Sequence, residues 1–204
     1  MRDDTIFRIV LIVGFFVIIP IGLYHRMKSQ ATREKLDRRQ EGLFILLTLR
    51  PLGLMSMGGL IAYLIDPAWM AWSSVNLPFW LRWMGVVLGV IAGFLLTWTF
   101  RSIGTNITDT VVTRKEHYLV TTGPYRWVRH PFYTSSALAI LANSIVAANV
   151  YLLLSGSLVV VLLVVRTTIE EKNLLKRFGT QYEDYMNRTG RFLPRLRTSP
   201  MLDK

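Results

Sequence analysis

The sequence predicts an all-α integral membrane protein with about five transmembrane helices and a C-terminal amphipathic helix. Three observations carry this expectation. Hydrophobic residues make up 51% of the 204 residues and charged ones only 18%, with a positive mean hydropathy, which is more apolar and less charged than an ordinary soluble domain. Apolar runs of membrane-crossing length recur along the chain. The basic excess, 24 Lys and Arg against 13 acids, collects between and after those runs. Charge placed in this way sets orientation in a bilayer, so no nucleic-acid partner is expected.

The chain has no cysteine, which excludes disulfides, thiolate metal sites and a cysteine nucleophile. Its three histidines, at positions 25, 117 and 130, are too scattered for a helical metal site, and no metal is expected.

Residues 6–24 form the first apolar run, broken only by Arg8 and long enough to cross about 30 Å of hydrocarbon as a helix. No small-residue cleavage site follows it, which argues against a removed signal peptide. Residues 25–41 are polar, and 42–65 form the second run, interrupted by Arg50-Pro51. A charge at that depth is costly and points to function by default, or to satisfying the carbonyls that Pro51 frees. Residues 66–80 lack Lys and Arg and hold Trp69, Trp72, Phe79 and Trp80, an interfacial aromatic belt. The third run, 81–100, carries Gly85, Gly89 and Gly93 at four-residue spacing, a stripe for close helix packing within the chain or across a dimer.

After a polar connection over 101–129, residues 132–165 contain no charged side chain. That is too long for one span. Asn143, the Ala147-Ala148 step and Asn149 predict a turn that makes it a hairpin of two short helices. Over 168–188, Leu174, Leu175, Phe178, Tyr182, Tyr185 and Met186 recur at helical spacing among charges, which predicts an amphipathic helix on the membrane domain. The Arg-rich tail after Gly190 is expected to follow the anionic surface. The chain divides into residues 1–100, with three helices, and 101–204, with the polar connection, hairpin and amphipathic helix. With five spans, segments 25–41, 101–129 and 166–204 share one side and hold 6, 5 and 9 of the Lys and Arg, 20 of 24 in all. The positive-inside rule then places the C-terminus in the cytoplasm.

One polar stretch stands out, residues 117–133, with two histidines, two prolines, three tyrosines and two arginines. Gly123-Pro124 marks a tight turn, and Pro131 suits the first turn of a helix. His130 would then either cap that helix or face a ligand. Read from residues alone, the stretch is either an interfacial loop with aromatic anchors and snorkelling arginines or a site. Arg166 and Glu170 lie four apart, one helical turn, as an ion pair or as two ligands of a common site. Glu171 reads as a solvated first-turn acid.

The run Gly123-Pro124-Tyr125-Arg126-x-Val128-Arg129-His130-Pro131-x-Tyr133 resembles the signature of the isoprenylcysteine carboxyl methyltransferase family, which the phospholipid N-methyltransferases share in part. Arg166, Glu170-Glu171, Phe178-Gly179, Tyr182, Tyr185 and Pro194 follow in the family's order, so the resemblance covers roughly the last 90 residues. It implies S-adenosyl-L-methionine as cofactor. His117, Tyr118, Leu119 and Val120 match one cofactor segment, Tyr125 an adenosine contact, and His130, Pro131, Phe132 and Tyr133 a second segment. At Phe132 the family often has a smaller residue. Glu170 matches the acid that meets the cofactor, and Arg166 the arginine assigned to the substrate. A further polar contact falls among Asn106, Thr108, Asp109 and Thr110. Neither the glycine-rich turn nor the distal acid of a soluble dinucleotide fold is present.

The implied function is methyl transfer to a lipophilic or lipid-linked acceptor entering from the bilayer, with a prenylcysteine carboxylate leading. A phospholipid amine or small thiol is the alternative acceptor, and a sterol-reductase-like NADPH enzyme the alternative class. A carboxylate is already nucleophilic at neutral pH, whereas an ammonium must first lose a proton. The only base candidates are His117, His130 and Glu171, so the carboxylate is favoured. Methyl transfer discharges a sulfonium, which makes Glu170 a binder rather than a base.

Overall fold

The computed structural model describes residues 2–30, 43–104 and 118–195. These residues form α1 (Arg2–Gln30), α2 (Leu43–Ile65), α3 (Phe79–Ile103), α4 (Pro131–Ala147), α5 (Val150–Phe178) and α6 (Thr180–Arg188), with 3-10 turns at Pro67–Ser73 and Gly123–Arg126. Among the described residues there are four helices long and apolar enough to cross a membrane, in α1, α2, α3 and α5, and α4 is a shorter apolar helix of 17 residues. At most 28% of any spanning window is buried inside the protein. Phe16, Leu54, Val90 and Phe94 are each at least 67% exposed. Such a surface needs lipid rather than water against it, and the protein is an integral membrane protein.

The long uncharged run turns where expected. Ala148 takes a left-handed conformation, φ 49°, and closes α4. Asn149 then opens α5 by accepting from the Leu152 amide at 3.1 Å, as a helix N-cap does. Its side-chain amide donates to the Met70 carbonyl at 3.0 Å, and the Ser73 hydroxyl donates to its Oδ1 at 3.1 Å. The hairpin tip is thereby pinned to the turn after α2. The aromatic belt lies at this end, with Trp69, Trp72, Phe79 and Trp80 exposed.

The glycine stripe of α3 is used within the chain. A Cβ at Gly85 would come within 2.9 Å of the Ile145 side chain, one at Gly89 within 3.7 Å of Ala142, and one at Gly93 within 3.1 Å of Ile18. α4 and α1 therefore press against α3 on adjoining faces. Two arginines at the belt end serve helix termini, whose last carbonyls lack intrahelical partners. Arg8 donates from Nε to the Leu64 carbonyl at 2.9 Å and from Nη2 to that of Ile65. Arg82 donates to the Val146 carbonyl at 2.9 Å, pairs with Asp4 at 2.6 Å and lies over the Phe7 ring at 4.1 Å. Arg50, beside the in-helix Pro51, is exposed.

One expectation is corrected. Residues 168–188 do not form a separate amphipathic helix. α5 runs unbroken from Val150 to Phe178 and ends only at Gly179, φ 53°, after which α6 begins. The shift from apolar to charged sequence near Arg166 marks the exit from the apolar layer rather than a helix end, because no Gly or Pro intervenes. About 20 residues of helix use up the ~30 Å hydrocarbon thickness. Counted from Val150, that brings Glu170 and Glu171 to the far boundary.

Candidate functional site

The site is assembled at that boundary from three segments far apart in sequence. Gly123, φ 61°, starts the 3-10 turn, and a Cβ there would lie 2.9 Å from the Ser102 Cβ. Glycine is thus required both by conformation and by the close approach to α3. Beyond the turn the chain extends. The Gly190 amide donates to the Trp127 carbonyl at 3.1 Å, the Arg129 amide to Gly190 at 2.9 Å and the His130 amide to Arg191 at 3.1 Å. Pro131 then takes the first position of α4, and His130, at the N-cap, makes no side-chain capping bond. Its imidazole is turned to α5 instead.

On α5 the two adjacent glutamates have different partners. Glu170 Oε2 accepts from the Tyr133 hydroxyl at 2.9 Å and lies 3.8 Å from His130 Nδ1. The Tyr133 and His130 rings are stacked, 5.5 Å apart and 1° from parallel. Glu171 Oε1 receives Arg129 Nε at 2.9 Å and faces His130 Nε2 at 3.1 Å, and its Oε2 receives Arg191 Nη2 at 3.1 Å. Arg129 also donates to the carbonyls of Met186 at 3.1 Å and Thr189 at 2.6 Å, where α6 ends. Arg166, one turn before Glu170, is 9% exposed and close enough to act electrostatically on Tyr133.

Glu171 is therefore not a solvated acid. Its side chain is 12% exposed and ties α5 to the chain on both sides of α4 and α6. The tail after Gly190 is corrected too, since its first residues fold into the site. Phe192 packs 5.8 Å from the His130 ring, and its carbonyl accepts from the Thr134 hydroxyl at 2.9 Å. Arg129 and Arg191 went unrecognised as site residues. The available signal was an Arg-His pair in the polar stretch facing two consecutive acids.

Of the sequence-predicted residues, Tyr125, His130, Tyr133, Arg166 and Glu170 are brought together. Tyr125 is buried, and burial, with Glu170 and Tyr185 nearby, holds its phenol protonated far above the usual range. The Tyr185 hydroxyl donates to the Tyr125 carbonyl at 2.7 Å, and Tyr182 and Tyr185 are buried residues of α6. Pro131 is buried and Phe132 exposed, the latter 5.7 Å from Phe100. Tyr118 is exposed, and Leu119 and Val120 are half-buried. His117, Asn106, Thr108, Asp109 and Thr110 lie outside the described residues.

The arrangement offers a partly open carboxylate at Glu170, 25% exposed, framed by a phenol and an imidazole, with a buried guanidinium one turn deeper. Those groups suit a ligand with cationic or hydroxyl donors next to a second, anionic one. The arrangement of the helices is a fold that has been seen before. It matches the solved structure of the eukaryotic intramembrane Ras methyltransferase ICMT with a TM-score of 0.57 and 22% identity, over 91% of this chain and 72% of that one.

Residues 84–176 match the model of the isoprenylcysteine carboxyl methyltransferase (ICMT) family. This bears out the resemblance carried by the signature. Among curated relatives, the protein-S-isoprenylcysteine O-methyltransferase of Saccharomyces cerevisiae is 29% identical over 119 residues, 54% of this chain and 48% of that protein. The methanethiol S-methyltransferase of Pseudomonas deceptionensis is 33% identical over 76 residues, 37% of this chain and 28% of that one. The chain spans less than half the length of these two relatives.

Proposed function

We propose that this protein transfers a methyl group from S-adenosyl-L-methionine to a lipophilic acceptor at the membrane, most favourably the carboxylate of a prenylcysteine. The observation that carries the reading is the placement of Glu170, Tyr133 and His130 at the boundary, one turn from Arg166, within the family-matched segment. The donor set fits the cofactor. Glu170 suits its ammonium or ribose hydroxyls, and Tyr133 and His130 complete that wall. Leu119 and Val120, which make no backbone–backbone hydrogen bond among the described residues, suit the edge of its adenine. When bound, the cofactor supplies an electrophilic sulfonium methyl.

The protein's own task is to align the acceptor and exclude water, a positioning effect worth at best roughly 7–11 kcal/mol. Arg166 holds the acceptor carboxylate with two parallel donors. By the distribution of Lys and Arg, this end of the protein faces the cytoplasm. A reporter placed near Ser73 is then on the opposite face from one following Lys204, and finding both on one face would remove this orientation.

A radiolabelled methyl-transfer assay in lipid, with prenylcysteines, phospholipids and thiols offered in parallel, tests the acceptor. Labelling of the prenylcysteine is expected. The thiol arm matters because one relative is named for methanethiol. Labelling in the thiol arm alone would replace the prenylcysteine reading with that one. The cofactor site has its own test. Glu170→Ala is expected to weaken S-adenosylmethionine binding by roughly 1–3 kcal/mol, the usual size for a hydrogen bond to a charged group. Unchanged calorimetric affinity in Glu170→Ala and His130→Ala alike would discard this pocket. A thermal-shift comparison of S-adenosylhomocysteine with NADPH separates methyl transfer from the reductase alternative, because only a bound ligand raises the melting temperature.

A further inference from the structure

Away from the site, residues of α1 and α3 at the same end of the protein line a groove of about 580 Å³. Its floor includes Ile21 and Thr97, and its mouth is lined by Tyr24, His25, Lys28 and Arg101. Among the described residues no carboxylate lines it. Lys28 and Arg101 both lie close enough to act electrostatically on His25, so basic groups of two helices converge on one opening. Like charges gathered with no carboxylate among the described lining residues repel one another, and an anion placed among them relieves that cost. The groove also sits where the apolar runs of both helices end. Tyr24 at 62% exposure and Met27 at 70% mark it as a surface that meets the headgroup region.

We propose that this groove binds an anionic phospholipid, with its phosphate at Lys28 and Arg101 and one acyl chain lying in the groove along Ile21 and Thr97. Charge complementarity selects the headgroup, because a zwitterionic lipid brings its own cation to a mouth already basic. The apolar floor selects a lipid over a free anion. Anionic lipids are concentrated in the cytoplasmic leaflet, the leaflet that the basic-residue distribution assigns to this end. The groove connects to the site through a chain of rings. His25 stacks on Phe100 at 5.8 Å, Phe100 meets Phe132 at 5.7 Å, and Phe132 meets Tyr133 at 5.8 Å. A lipid seated against His25 steadies the wall from which Tyr133 reaches Glu170.

The test uses the full chain purified in neutral detergent and titrated with phosphatidylglycerol, phosphatidylcholine or inorganic phosphate while melting is followed. Phosphatidylglycerol is expected to raise the melting temperature at least tenfold lower in concentration than phosphatidylcholine, with no response to phosphate. Lys28→Gln/Arg101→Gln changes two exposed side chains and should remove that selectivity, and Lys28→Arg/Arg101→Lys should keep it. Equal responses to the two lipids would overturn the proposal, as would a response to inorganic phosphate matching that to phosphatidylglycerol. Independently of any variant, a phosphatidylglycerol with a photoreactive acyl chain should label peptides from the second half of α1 or the end of α3. Labelling confined to other helices would also overturn it.

Discussion

Replacing Arg166 by lysine is expected to lower turnover on a carboxylate acceptor by about a hundredfold, the scale of loss from a small misplacement of reacting groups, with cofactor affinity unchanged. The residue is 9% exposed on α5, one turn from the carboxylate proposed to meet the cofactor. At such a position the charge alone is not the useful property. Guanidinium presents a rigid planar pair of donors that fixes both oxygens of a carboxylate, whereas an ammonium is a compact point charge on a flexible stem. Lysine would still attract the acceptor but would leave its attacking oxygen unaligned, so the loss should appear in kcat more than in KM. An amine acceptor predicts otherwise. Arg166 would then hold a phosphate, a role that lysine also fills, and most activity would remain. The measurement is steady-state methyl transfer in lipid at saturating cofactor, alongside calorimetric cofactor binding. Near-normal turnover of Arg166→Lys on a prenylcysteine would end the assignment of Arg166 to the acceptor carboxylate.

How much of this was legible in the sequence depends on the range of the interaction involved. Helices α1 to α3 follow from apolar runs of spanning length, which is local information. The hairpin turn at Ala148 and Asn149 was legible because its own residues close one helix and cap the next. The glycines at 85, 89 and 93 announced close packing but not its partners, since α4 and α1 lie at other places in the chain. The continuity of α5 was hidden by a change of polarity. Burial pattern and helix continuity are separate properties, and only Gly179 carried the stop. Glu171 was misread for a further reason. Its partners Arg129, His130 and Arg191 lie 42, 41 and 20 residues away, and no local period distinguishes a buried acid from a solvated one. The Glu170 side, in contrast, was singled out by the signature, and the structure sets Tyr133, His130 and Glu170 in contact.

The Glu171 cluster makes the second large effect a matter of stability rather than of chemistry. Glu171→Ala is expected to destabilise the protein by about 3–5 kcal/mol, the cost of leaving a buried ion pair with one member missing. For a chain of this length that corresponds to a melting temperature lower by roughly 6–20 °C. The size follows from what is stranded. Arg129 would keep its bonds to the Met186 and Thr189 carbonyls but would lose its counter-charge at a side chain that is 11% exposed. His130 would lose the partner of Nε2, and Arg191 would lose the carboxylate that holds the tail across the site. Glu171→Gln separates charge from shape, because the amide keeps one acceptor oxygen in place and its loss should be smaller. The tail gives an independent readout. With the Arg191 contact gone, the chain beyond Thr189 should be cut sooner by trypsin in Glu171→Ala than in the parent, whereas α1 to α3 should be cut no sooner. If Glu171→Ala melts within about 2 °C of the parent and its tail stays protected, the cluster does not hold these segments together, and Glu171 is the solvated acid that its local sequence suggests.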